Sequence, residues 1–181
     1  MVEQLLTGKN IGILISDEFE QIELTSPKEA LEAAGANVSI ISVDKQTVTG
    51  LNHITKADTF EVDYMLEDSN LPEFDGLVVP GGVVNSDHLR VEPSAQQLIV
   101  EMDDAEKPLA VICHGPWLLA SAGILKDRTV TSYHTLEDDL TNAGADWVDQ
   151  EVVIDRNLIT SRNPDDLDAF NQTFIDALVA E

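Results

Sequence analysis

Apolar residues follow two rhythms along this chain. Short, nearly continuous runs suit strands covered on both faces, and between them lie stretches whose apolar residues return every three or four positions, as on one side of a helix. The main runs are NIGILIS (10–16), NVSIISV (37–43), GLVVP (76–80) and LAVI (109–112). After the first comes the turn Asp17-Glu18, then FEQIELTSPKEALEAAGA. That pattern predicts a helix stopping at Gly35, with Pro27 kinking or breaking it. Strand, helix and strand with short joints make a βαβ unit. Further helices are predicted over 92–106 behind Pro93, over 117–123, in LEDDLTNAGA (136–145) with Gly144 ending it, and over 163–180. In the last, Leu167, Phe170, Phe174, Ile175 and Leu178 share a face, and Asn163 stands where a cap is needed. Short strands are expected at 129–131, 151–154 and 158–160, the last two joined by Asp155-Arg156-Asn157.

Three stretches depart from these rhythms. Residues 47–65 are rich in β-branched side chains and carry a Gly50-Leu51-Asn52 turn, which predicts a small hairpin or an excursion from the main sheet. Residues 66–75, with Pro72, read as a loop with one helical turn at most, and 85–90 as a polar loop. Repeats, low-complexity tracts and linkers are absent, so 1–181 reads as one domain. The alternation predicts an α/β fold with a mostly parallel sheet between helices, whose ligands gather at the carboxyl ends of the strands.

Composition adds a charge argument. The chain is 43% hydrophobic, with 34 Asp and Glu against 10 Lys and Arg, a net charge of −24. That balance excludes nucleic acid and anionic membranes as partners, because phosphate contacts need Lys and Arg. The acid is spread along the chain rather than gathered in a tail, as on a solvated acidic surface. A high-salt host would account for it, since molar salt shortens charge repulsion to about 3 Å; a lineage with an acidic proteome would do so equally. One cysteine excludes an internal disulfide and fits a reducing cytosol. The opening MVEQLLTGKN lacks the basic-then-apolar order of a leader, and no apolar run nears the roughly 18 residues that span a bilayer. A cytoplasmic location is therefore expected.

That single cysteine, Cys113, directly follows the run 109–112 and precedes His114, Gly115, Pro116 and a helical pattern. A thiol at a sharp strand-to-helix turn is lifted out of the sheet. It faces the unpaired N–H groups and positive dipole of the new helix, which favour the thiolate nucleophile. The turn parallels the Ser-centred nucleophile elbow, with Val111 where that motif has its leading glycine. A buried, inert cysteine is the structural alternative. Gly81 and Gly82 follow another strand, and their N–H groups are candidates for holding a developing oxyanion. Asp17, Glu18, Glu20 and Glu23 lie behind the first strand, and Glu20 and Glu23 share a helix face. A carboxyl buried there beside the thiol would stay protonated and donate to sulfur. His114 is the obvious base, although side chains diverge at such a turn; His134, at a later strand end, is a second, and His53 and His88 suit the surface. No HExxH or CxxC is present, so no metal is expected.

The stretches DEFEQIELTSP (17–27), FDGLVVPGG (74–82), NSDHLR (85–90), KPLAVICHGPWLLASAG (107–123), NAGADWVDQEVV (142–153) and TSRNPDDLDAFN (160–171) together resemble the PfpI family, in the superfamily that also holds the protein deglycases. The resemblance implies a flavodoxin-like three-layer sandwich and no cofactor. It implies Cys113 as nucleophile, Glu23 as the carboxyl partnering it, His114 beside it, the backbone of Gly82 and His114 as oxyanion pocket, and Tyr133 lining the site. Asp87 falls where peptidase-like members place a glutamate reaching His114 of an adjacent subunit; here the side chain is one methylene shorter and the loop one residue longer. A homodimer or larger homo-oligomer is implied. So are several activities: glyoxalase or deglycase action on small carbonyls or glycated substrates, cysteine peptidase or amidase action, or a redox-sensing, chaperone-like stress role. A thiolate beside a protonated carboxyl suits attack on a small aldehyde. A glutamine amidotransferase would need a late His-x-Glu pair, but His134 is followed by Thr135 and Leu136.

Overall fold

The computed structural model describes residues 4–43 and 45–181; residues 1–3, part of the stretch searched for a leader, lie outside it. In chain order the elements are β1 (Asn10–Leu14), β2 (Phe19–Glu20), α1 (Gln21–Ala33), β3 (Asn37–Ser42), β4 (Thr47–Asn52), β5 (Thr55–Glu61) and β6 (Tyr64–Met65). Then come β7 (Gly76–Val79), α2 (Val83–Leu89), α3 (Pro93–Asp104), β8 (Leu109–Ile112), α4 (Pro116–Ala122) and β9 (Thr129–Val130). The chain closes with α5 (Glu137–Asn142), β10 (Asp146–Trp147), β11 (Val152–Asp155), β12 (Leu158–Ser161) and α6 (Leu167–Ala180).

The four apolar runs become the middle of a seven-stranded sheet ordered β11-β12-β8-β7-β1-β3-β6. It is parallel except for β11, which pairs antiparallel with β12. Each run is apolar throughout because successive residues enter different cores. In β8, Ala110 and Ile112 join Leu24, Leu31, Phe170 and Phe174 of α1 and α6. Leu109 and Val111 join Leu89, Ile99, Leu118 and Leu140 of α2 to α5 on the other face. The result is the three-layer α/β sandwich expected from the alternation. Among the described residues no helix is long and apolar enough to cross a membrane.

Several boundaries differ from those read in the sequence. Helix α1 begins at Gln21, because Phe19 and Glu20 are held in a short parallel pairing with Gly50 and Leu51 of β4. Pro27 is buried and the helix continues past it, its packing outweighing the missing N–H. The hairpin of β4 and β5 turns at His53-Ile54; Gly50 lies within β4, at a register irregularity between Thr49 and Leu51. Tyr64 and Met65 leave the hairpin and pair with β3 at the edge of the main sheet. Residues 83–89 are helical, although 85–90 read in the sequence as a polar loop. Two polar residues there, Asn85 and Ser86, are buried: Asn85 accepts from the Ser16 N–H (2.6 Å) and donates to the carbonyls of Pro80 (3.1 Å) and Gly81 (2.9 Å). Strand β9 pairs with the unexpected β10, outside the main sheet. The last two helical patterns each open with a 3₁₀ turn, at His134–Leu136 and Pro164–Asp166. Asn163 caps the second, its side chain accepting from the Asp165 N–H (2.9 Å).

Candidate active site

Strands β1, β7, β8 and β12 lie side by side, and chain order reverses between β1 and β7. This is the switch point where a parallel sheet leaves a crevice at its carboxyl end. A cavity of about 430 Å³ lies there, with Cys113 at its wall.

Cys113 sits between β8 and α4 with φ +62°, in the left-handed region that a side chain rarely adopts. The conformation is held from both sides: the Cys113 N–H donates to the Ser161 carbonyl (3.1 Å), and its own carbonyl accepts from the Tyr133 N–H (2.9 Å). The backbone N–H groups of Gly82 and His114 point at the sulfur. The helix field alone predicts an acidic thiol, yet α4 is only seven residues long. Burial and the facing Glu23 charge push the Cys113 thiol up, against the pull of those two N–H groups.

Glu23, projecting from α1, is fully buried. Its Oε2 accepts from the Gly81 N–H (2.6 Å), while Oε1 is buried with no N–H or O–H partner. Burial raises its pKa to about 8; the Gly81 N–H opposes that rise and the Glu20 charge adds to it. Glu23 and Cys113 meet beside Gly81 in this buried site, and the Glu23 charge opposes ionisation of the thiol. Gly81 has to be glycine here: a Cβ on it would lie 2.6 Å from Cys113 Cβ and 2.7 Å from Glu23 Oε2. Its N–H is committed to Glu23, so of the two expected oxyanion glycines only Gly82 presents an N–H to the sulfur.

His114 does not diverge from the thiol: its Nδ1 lies 3.2 Å from Sγ. The ring is 8% exposed, stacked on Tyr133 (centroids 4.8 Å, 26°) and met edge-on by Trp117 (5.4 Å). Burial, with the nearby His134 charge, lowers its pKa to about 4, so the imidazole is neutral at pH 7. His134 is exposed outside the cavity, beside Tyr133 (4.7 Å), away from the sulfur. Tyr133 and Glu20 line the cavity, and the Glu20 carboxylate accepts from the His53 N–H (3.1 Å). Asp87 is exposed on α2 and does not line it. His53 is exposed, as expected, but the hairpin tip carries it to the cavity mouth. Val83, Asn163, Pro164 and Asp165 complete the wall. Local sequence held no signal for His53 or Val83, since long-range docking brings them there. The 163–165 segment is held by Asp166, whose carboxylate takes Arg162 Nε (2.8 Å) and Nη2 (2.9 Å).

Comparison with known proteins places this geometry among relatives. The model of the DJ-1/PfpI family matches residues 9–177. The chain is 38% identical over 172 residues to a putative cysteine protease, YraA, of Bacillus subtilis, covering 94% of this chain and 99% of that one. It is 41% identical over 168 residues to the deglycase PfpI of Pyrococcus furiosus, covering 93% and 98%. Among solved structures, DJ-1beta of Drosophila melanogaster superposes with a TM-score of 0.86 at 25% identity, covering 96% of this chain and 91% of that one. A two-domain protein of Anabaena variabilis, containing DJ-1/ThiJ/PfpI-like and ferritin-like domains, gives 0.86 at 31%, covering 94% and 48%.

Proposed function

Because the chain belongs to the DJ-1/PfpI family, we propose that it is a cysteine-dependent enzyme acting, without a cofactor, on small reactive carbonyl compounds or glycation adducts. The observation that carries this reading is the fully buried Glu23 carboxyl, raised to about 8, against the sulfur of Cys113. Such a carboxyl keeps its proton at neutral pH and gives it up at the moment an oxyanion forms beside it.

With methylglyoxal as substrate, the Cys113 thiol gives its proton to the neutral His114 imidazole, whose Nδ1 lies 3.2 Å from Sγ, and the sulfur attacks the aldehyde carbon. The S–C bond forms, the carbonyl π pair moves to oxygen, and Glu23 supplies the proton that completes a hemithioacetal. The N–H groups of Gly82 and His114 face the developing charge. The Glu23 carboxylate left by that transfer is the base available to move the proton from the sulfur-bearing carbon to its neighbour. That shift yields a thioester, and water cleaves it to lactate and the free thiol. Tyr133 backs the His114 ring. The working form is read as a cytoplasmic, stress-protective homo-oligomer, in which Asp87 is available to a neighbouring subunit.

The test is lactate formation from methylglyoxal by the purified protein with no added cofactor. Cys113→Ala is expected to abolish it, and Glu23→Gln to lower kcat by at least about 100-fold, the size of a lost general acid. Folded, reduced wild-type protein without turnover overturns the reading. A second reading, cysteine peptidase or amidase, draws on the 3.2 Å contact of His114 Nδ1 with Sγ, the contact a thiol–imidazole pair needs. It predicts fluorogenic-peptide cleavage that His114→Gln removes.

A further inference from the structure

The charge of the cavity mouth says what the site admits. Glu20 and Asp165 both line the cavity, one at the start of α1 and the other in the turn before α6. Among the described residues no lysine or arginine lines the cavity. Arg162, close in sequence to Asp165, is engaged in ion pairs with Asp166 and Asp149 and does not line the cavity. A shallow groove continues outward past Glu20 and His53, adding another carboxylate, Glu18, and the apolar side chains of Ile54 (95% exposed), Val83 and Val84. Deeper in the cavity the buried Glu23 adds another carboxyl.

We propose that Glu20 and Asp165 form an electrostatic filter, so that the site takes uncharged or cationic carbonyl compounds and turns away those bearing a carboxylate. This deepens the reading of Cys113 as the nucleophile of a carbonyl enzyme and rests on it. The filter is nevertheless measurable without turnover. Cys113 is the only cysteine in the chain, so thiol alkylation reports on that one atom. Iodoacetamide and iodoacetate are nearly equal in size and differ by one negative charge; with either, the sulfur–carbon bond forms and iodide leaves.

The rate ratio, iodoacetamide over iodoacetate, is measured at Cys113 of the full chain at pH 8 and low ionic strength, and compared with the ratio for free 2-mercaptoethanol. The expected excess at Cys113 is about fivefold, the size for two carboxylates acting over about 8 Å through a largely aqueous mouth. It is expected to fall in the Glu20→Gln/Asp165→Asn double variant, which separates the mouth from the overall net charge, and to collapse in 1 M KCl for the wild type. A ratio equal to that of the free thiol, or one unchanged in the double variant, overturns the filter. In a parallel assay, wild-type kcat/KM is compared for methylglyoxal and for 4,5-dioxopentanoate, an α-oxoaldehyde carrying a carboxylate. A lower value for the anionic substrate supports the proposal. Preserved charge selection at Cys113 with neither substrate turned over supports the filter and overturns the enzymatic reading.

Discussion

At the residue scale, the site depends on Gly81, Glu23 and Cys113 fitting with no spare volume. Gly81→Ala drives a methyl group into Cys113 Cβ and Glu23 Oε2. It is expected to cost about 1–3 kcal/mol, as overpacking does, and to remove most turnover; urea unfolding and the lactate assay measure the two effects. Glu23 also carries a pH signature. Its folded pKa, about 8, lies above the ordinary 4.5, so the folded protein binds the extra proton. The stabilisation is complete below about pH 4.5 and is lost as pH rises through 8. His114 works in the other direction: with a folded pKa of about 4 against 6.5, its contribution is complete above 6.5 and fades as pH falls toward 4. Between pH 6 and 9 the Tm of the wild type should therefore drop more than that of Glu23→Gln, whose side chain does not titrate. Parallel Tm curves would contradict the placement of a protonated carboxyl in the core.

At the element scale, the cavity is assembled by short pieces that stabilise one another. Helix α2 is tied to the ends of β1 and β7 by one side chain, Asn85, through Ser16, Pro80 and Gly81. Asn85→Ala leaves the buried Ser16 N–H and Pro80 carbonyl without that partner, while the Gly81 carbonyl keeps the Glu20 N–H (3.3 Å), and is expected to cost about 2–3 kcal/mol. It should also raise the KM for methylglyoxal, because the same contacts fix the strand end that presents Gly82. Equilibrium denaturation and steady-state kinetics on one preparation test both. For the segment 163–165, the Arg162–Asp166 pair does the equivalent work: Asp166 is buried, and the arginine beside it holds its carboxyl below the usual range despite burial. The hairpin adds the third side of the mouth by docking β4 on β2 and handing the His53 N–H to Glu20.

At the scale of the whole molecule, 34 acidic residues face 10 Lys and Arg, so one-to-one pairing leaves most carboxylates without a cation. Buried Arg128, gripped by Asp103 and close to Asp155 (3.9 Å), uses one of those cations to anchor β9. Self-repulsion should limit stability at low ionic strength. The Tm is expected to rise steadily as KCl is raised from 0.05 M to 1 M, and differential scanning calorimetry reads it directly. A flat or falling Tm would mean that the surface charge carries no net destabilisation.

The order of strands and helices was legible in the chain because it rests on local periodicity: four apolar runs had to be covered on both faces. Cys113 at the end of one run and Gly81-Gly82 at the end of another were legible for the same reason, since a parallel sheet brings its strand ends together. Glu23 stood out only through the resemblance, because no local rule says which of four nearby carboxylates turns inward. Packing decided that, and with it the raised pKa. The tertiary structure alone also placed His114 against the sulfur, buried Asn85 and Ser86 of α2, and carried His53 and Asp165 to one mouth from positions far apart in sequence. Such contacts depend on how elements dock, and docking is set by the volumes and charges of surfaces that no single stretch of sequence contains.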